Sequence, residues 1–142
     1  MTLRRTDRSL PIALLRAREA VMAPVREMLA KSGISEQKWR VIRVLDEAGP
    51  MEQTALAREA CLLLPSLTRM LRAMETEGLI ARTEDSSDRR KSIVRLTRAG
   101  RHVLEDRAAE SAEIAAALEA RFGTARLETL LDLLEELSRH RR

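Results

Sequence analysis

Between Pro65 and Thr76 the chain reads "PSLTRMLRAMET", and its residue types divide at helical spacing. Leu67, Met70, Leu71 and Met74 recur at i, i+3, i+4 and i+7, the pattern of a face that packs inward. Pro65, Arg69, Arg72 and Thr76 fall on the opposite side, flanked by Ser66 and Thr68. A helix that enters a DNA major groove needs that division, with guanidinium forks for guanine edges or phosphates and hydroxyls for either. A solvated amphipathic helix looks the same, so this face alone does not choose between the two. Shortly after it comes "DSSDRRKSIVRLTRAG", residues 85–100. Arg89, Arg90 and Lys91 sit there in a polar link, expected at the tip of a hairpin. Such a tip can clamp phosphates or enter a minor groove beside the helix. Asp88 stands next to these cations and is expected to hold Arg90 in a fixed geometry. The bland alternative is a solvated turn.

These residues need elements to carry them. "IALLRAREAVMAPVREMLAK" predicts one long helix from Pro11 to about Lys31, kinked at Pro24 and stopped near Gly33. A second helix follows Ser35, a good N-cap, with Trp39, Ile42, Val44 and Leu45 inward and Gly49–Pro50 ending it. A short third helix spans about Glu52 to Ala60. The fourth starts at Pro65, where a missing N–H costs nothing, and stops at Gly78. No Ser, Thr, Asp or Asn precedes Pro65 as a cap. "LIART" and "SIVRL" alternate and predict two strands, with "EDSSDRRK" as the loop between them. Thr97 is expected to cap a fifth helix from about Arg98 to Phe122. A sixth carries Leu127, Leu130, Leu131, Leu134 and Leu137 as a nearly continuous apolar stripe. The fold expected is mainly α with a small two-stranded β-wing.

Composition narrows the function classes. The 142 residues suggest one domain. With 44% hydrophobic and 34% charged residues, the chain is globular rather than disordered. Trp39 and Phe122 are the only aromatics, so the core is aliphatic, which suits packed helices. The net charge is +4, and all but Lys31, Lys38 and Lys91 of the 26 basic residues are arginines. Arginine forks match phosphate and base edges better than ammonium groups do. No apolar run of membrane-spanning length occurs, and "MTLRRTDRSLP" lacks the apolar segment of a secretory signal. A cytoplasmic location is expected, and no membrane partner. Cys61 allows no internal disulfide; beside the fourth helix it could act as a redox switch, but it reads better as a small buried apolar residue. His102 and His140 have no ligand-spaced neighbours, so no metal site is expected. No phosphate loop or nucleophile constellation points to an enzyme or a cofactor.

"TRMLRAMETEGLIAR" followed by "DSSDRRKSIVRLTRAG" resembles the winged helix-turn-helix signature of the MarR family of bacterial regulators. The spacing of Asp88 and Arg90, the Leu96–Thr97 helix start and Gly100 carry the resemblance. It extends over nearly the whole chain. It implies a single MarR-like domain over 1–142, with a winged helix-turn-helix at about 35–97 flanked by long dimerisation helices at about 10–32 and 98–140. It also implies a homodimer whose two recognition helices, one helical turn apart, read a pseudo-palindrome on double-stranded DNA. The stripe from Leu127 to Leu137 wants a partner surface in its own right, and packing on this chain's first helix is its alternative. "IALLRAREAVM", "EQKWRVIRVL" and "CLLLPSLTRML" resemble the branch of the family that represses aromatic-acid degradation operons. That branch implies a phenolic acid effector such as 4-hydroxyphenylacetate. Arg18 and Glu19, with Met22, Trp39 and Arg40, lie in those stretches. An arginine could pair a carboxylate, Trp39 could stack on a ring and Met22 could adapt its packing. The plainer alternatives are a core anchor for Trp39 and an ion pair for Arg18 with Glu19. From another class, a helical protein–protein adaptor with a basic surface remains as the rival reading.

Overall fold

The structure, a computed structural model, describes residues 2–85 and 88–139, and only the backbone at 85 and 88–90. A 3-10 turn at Thr6–Arg8 leads into α1 (Leu10–Ala30). Then come α2 (Glu36–Ala48), β1 (Met51–Glu52), α3 (Gln53–Glu59), α4 (Leu64–Thr76), β2 (Ile80–Asp85), β3 (Asp88–Leu96), α5 (Arg98–Phe122) and α6 (Thr124–Arg139). The chain divides into two compact units, Arg26–Ala108 and Met1–Val25 with Ala109–Arg142. The division falls within α1 and α5 rather than at their ends. No described helix is long and apolar enough to cross a membrane.

The unit Arg26–Ala108 holds the core. Val41, Ile42 and Leu45 of α2, Leu56 of α3, Leu67, Leu71 and Met74 of α4, and Ile80 and Val94 of the sheet are all at most 2% exposed. An aliphatic core of this kind follows from a chain with two aromatics. Trp39 is buried in α2, as is Val41, which the expected inward set omitted; Val44 is half-buried. Local chemistry marks the element ends. Ser35 caps α2 by accepting the Lys38 N–H at 3.2 Å. Thr97 caps α5 by accepting the Gly100 N–H at 3.1 Å, and it donates its own hydroxyl proton to the Gly78 carbonyl at 2.6 Å. That second bond fastens the start of α5 to the corner after α4.

The sheet departs from expectation in two ways. It has three antiparallel strands in the order β1-β3-β2, with Met51 opposite Val94 and Glu52 opposite Ile93. Glu52, expected to open the third helix, belongs to that added strand. A two-residue strand carries no alternation to read. The hairpin arms also run further than the apolar alternation does. Glu84 lies opposite Ser92 and Asp85 opposite Asp88, with a register shift between the two pairs that leaves 89–91 as a bulge within β3 rather than a loop. Both faces of those outer rungs are polar. Cross-strand backbone bonds hold them without any hydrophobic signal.

Cys61 is exposed, which overturns the buried reading. It takes φ +55°, in the left-handed region that favours glycine. The Cys61 N–H bonds to the Arg58 carbonyl and the Leu62 N–H to the Ala57 carbonyl, closing the end of α3. Leu62 makes the apolar contact that accompanies such a corner, so the cysteine side chain faces out. Cys61→Gly removes the side-chain clash at this φ and should stabilise the fold by about 1 kcal/mol. A rise in melting temperature checks it, and a fall would mean the corner is not strained.

The second unit is built differently. Among its described residues no side chain is fully buried. Leu10, Leu14, Leu15 and Val21 of α1 are between 41% and 62% exposed, and Leu130, Leu131, Leu133 and Leu137 of α6 between 39% and 58%. Leu127 and Leu134 are half-buried.

Candidate nucleic-acid interface

The sequence of α4 separates as its spacing requires. Leu67, Leu71 and Met74 are fully buried and Met70 is half-buried against the same core. Arg69 and Arg72 are exposed on the other side, as is Pro65, while Ser66 and Thr68 are half-buried. No acidic residue occurs in the first turn of α4. The carboxylates at its far end are engaged: Glu75 with Arg82 at 3.1 Å and Glu77, just past the helix, with Lys38 at 2.7 Å. The Thr76 hydroxyl donates to the Arg72 carbonyl.

Partnering sorts the cations of this unit. Arg43 pairs with Glu47 at 3.0 Å, Arg101 with Asp46 at 3.3 Å and Arg26 with Glu36 at 3.2 Å. Arg58, Arg69, Arg72, Lys91, Arg95 and Arg98 have no such partner among the described residues. They lie in the last turn of α3, in α4, along β3 and at the first turn of α5. A cation kept clear of carboxylates is free to meet a polyanion without first breaking an ion pair. Arg58, Arg95 and Arg98 were not singled out from the sequence. An isolated arginine carries no pattern, and only the list of pairs reveals it. Arg89 and Arg90 occupy β3 beside Lys91, which is exposed. Their side chains, and the expected Asp88–Arg90 contact, lie outside the described residues.

Two expected contacts have other employment. The Thr68 hydroxyl donates to the Leu64 carbonyl at 2.9 Å and accepts from Gln53 Nε2 at 2.6 Å. Its proton is therefore spent, and its bond to Gln53 ties the start of α3 to α4. Arg40 donates through Nη1 to the carbonyls of Ala60 and Cys61, at 2.8 and 3.2 Å, and its Nη2 lies 3.6 Å from Glu36. The guanidinium thus braces the corner between α3 and α4, which sets how α4 is presented.

The remaining effector candidates fall in both units. Arg18, Glu19 and Met22 are on α1 within Met1–Val25, Arg18 and Glu19 exposed and Met22 half-buried. Both Arg18 and Glu19 have side-chain interactions of their own. Trp39 and Arg40 are on α2 in the other unit, with Trp39 6% exposed. No cluster of His, Cys, Asp or Glu suited to a metal ion occurs among the described residues.

A profile of the MarR family matches residues 34–92. The HTH-type transcriptional regulator FarR of Neisseria gonorrhoeae is 39% identical over 131 residues, 92% of this chain and 90% of that protein. The homoprotocatechuate degradative operon repressor of Escherichia coli is 39% identical over 128 residues, covering 90% of this chain and 86% of the repressor. Among solved structures, NadR in complex with 4-hydroxyphenylacetate superposes with a TM-score of 0.85 at 37% identity, over 99% of this chain and all of that one.

Proposed function

Because the chain belongs to the MarR family of transcriptional regulators, we propose that it is a homodimeric repressor of an aromatic-acid degradation operon, released from its operator by a phenolic acid. The observation that carries the DNA-binding half is the face of α4: Arg69 and Arg72 stand exposed and, among the described residues, without carboxylate partners, directly behind a buried stripe. Pro65, Ser66 and Thr68 lead that face into the major groove, and Arg89, Arg90 and Lys91 of β3 grip the neighbouring backbone. Asp88 orients Arg90. Arg58 serves as a further phosphate contact from α3. Phosphate contacts set register and strength, while the α4 arginines set the sequence.

The dimer follows from the second unit. Eight exposed leucine and valine side chains on α1 and α6, in a unit with no fully buried side chain among its described residues, are a poor basis for stability in water without a further surface to cover them. A second copy covers them, through Leu127, Leu130, Leu131, Leu134 and Leu137, with Leu133 added. Two copies place two recognition helices roughly 34 Å apart, so the operator is a pseudo-palindrome.

The effector half rests on the relatives. One represses a homoprotocatechuate degradative operon, and NadR was solved with 4-hydroxyphenylacetate. The effector contacts on this reading are Arg18, Glu19 and Met22 on α1 and, taken separately, Trp39 and Arg40 on α2. The effector can shift DNA occupancy only by as much as it prefers the released state over the bound one.

Selection of bound sequences from random duplex DNA, at two salt concentrations, tests the whole. A palindromic consensus with a steep salt dependence is the expected result. Binding without sequence preference and without salt dependence would instead support the adaptor. Trp39 is the chain's one tryptophan and there is no tyrosine, so its fluorescence reports a single place. Its emission should change on addition of 4-hydroxyphenylacetate. Constant emission and a constant melting temperature across a panel of phenolic acids would remove the effector site from this region.

A further inference from the structure

The start of α4 lacks the side-chain cap that α2 and α5 carry. Its N-cap position is Leu63, at φ −73° and ψ 138°, the extended geometry of a capping residue. A serine with nearly the same angles, Ser35 at φ −74° and ψ 157°, caps α2 through the N–H three residues on. Thr97 does the same for α5. Leu63 caps nothing, because its side chain has no acceptor. It is also 77% exposed, and Leu64 beside it is 42% exposed. Pro65 follows and is exposed as well. The leading end of α4 is therefore hydrocarbon held out in water, where a hydroxyl would stabilise the helix.

We propose that Leu63, supported by Leu64, reads a thymine 5-methyl group in the major groove, and is a sequence-determining residue of the operator contact. The inference rests on the DNA-binding reading above and names a contact that reading did not include. Three observations support it. The N-terminal residues of a recognition helix are the ones that reach base edges. Thymine presents a methyl group there, the one apolar feature by which a major-groove edge is told apart, and an apolar side chain is its complement. The surroundings favour DNA over a protein surface: Arg69 and Arg72 follow within ten residues, without carboxylate partners among the described residues, and the first turn carries no acid. Thr68, the other hydroxyl that faces a base from this half of the helix, has its proton committed to the Leu64 carbonyl. Beside the Ser66 hydroxyl, apolar contact is what this end of the helix offers.

The test uses the full-length protein and the duplex that selection returns. Thymines in each half-site are replaced one at a time by deoxyuridine, which removes only the methyl group. Wild-type protein should lose roughly three- to tenfold in affinity at one or two positions per half-site. Leu63→Ser should bind the thymine duplex more weakly and no longer distinguish thymine from deoxyuridine at those positions. The same substitution supplies the missing cap, whose acceptor would meet the Ser66 N–H, so its melting temperature should rise by roughly 3–5 °C. Weaker binding by a more stable protein separates reading from folding. Wild-type indifference to deoxyuridine throughout, or equal sensitivity in Leu63→Ser, would overturn the proposal while leaving the operator contact intact. A Leu63→Ser protein that changes oligomeric state would overturn it too, by placing Leu63 against another protein chain. Absence of any preferred duplex for the wild-type protein would fell the underlying reading along with it.

Discussion

Gly100→Ala is expected to destabilise the winged unit by about 3 kcal/mol, a large share of the roughly 5–15 kcal/mol that holds a typical domain. Two effects compete at this position, and they have opposite signs. Gly100 lies in the first turn of α5, where helix propensity alone would reward alanine by about 1 kcal/mol. The surroundings reverse that. A Cβ at Gly100 would overlap the backbone carbonyl oxygen of Leu79 and press on the Leu96 side chain. Leucine can rotate, but the carbonyl cannot retreat cheaply. It accepts the Thr97 N–H at 3.1 Å, and Thr97 in turn bonds Gly78 and caps α5. Moving Leu79 therefore loosens three bonds that join the α4 corner, the base of the hairpin and the helix behind it. Urea denaturation should show a lower midpoint with an unchanged slope, and heating a melting temperature lower by roughly 10 °C. An unchanged or raised midpoint would show that propensity wins and that the corner is more open than the contacts say.

The same corner shows what was legible in the sequence. Thr97 was legible as a cap from its type and place, whereas Gly100 stood out only through the family resemblance. The helices were read within a residue or two because their apolar periods are long and their ends carry Ser35, Gly78 and Thr97. What escaped lacked a period. β1 is two residues long, and the outer rungs of the hairpin are polar on both faces. Cys61 was misread because composition treats cysteine as a buried residue, whereas its place one step past the end of α3 turns it outward. The arginine face of α4 was visible as a pattern. Which arginines are free was not, because pairing joins residues far apart in the chain: Arg82 reaches back to Glu75, and Arg101 meets Asp46 across 55 residues. Thr68 and Arg40 likewise look available in one dimension and are occupied in three.

Freedom from carboxylates also decides the second large effect. Replacing Arg69 and Arg72 together by alanine should cost operator binding roughly 2–6 kcal/mol, or about 30-fold at the least, if each reads a base. The two are one turn apart on the same face, so their contributions need not add. The fold should barely respond: both side chains are exposed, neither holds an ion pair among the described residues, and alanine favours the helix. Arg43→Ala provides the contrast. It removes an equally exposed arginine of the same unit, but one already paired with Glu47, and should leave operator affinity within a factor of two or so. Lys91→Ala belongs to a third class. As a backbone contact it should weaken every sequence alike and flatten the logarithmic salt slope by about one, whereas the α4 variant should also lose its preference for the operator over random duplex. Affinity measured on both duplexes at several salt concentrations separates the three patterns. If the double variant kept wild-type affinity and preference, α4 would not be the reading element, and its bare arginines would be a solvated surface.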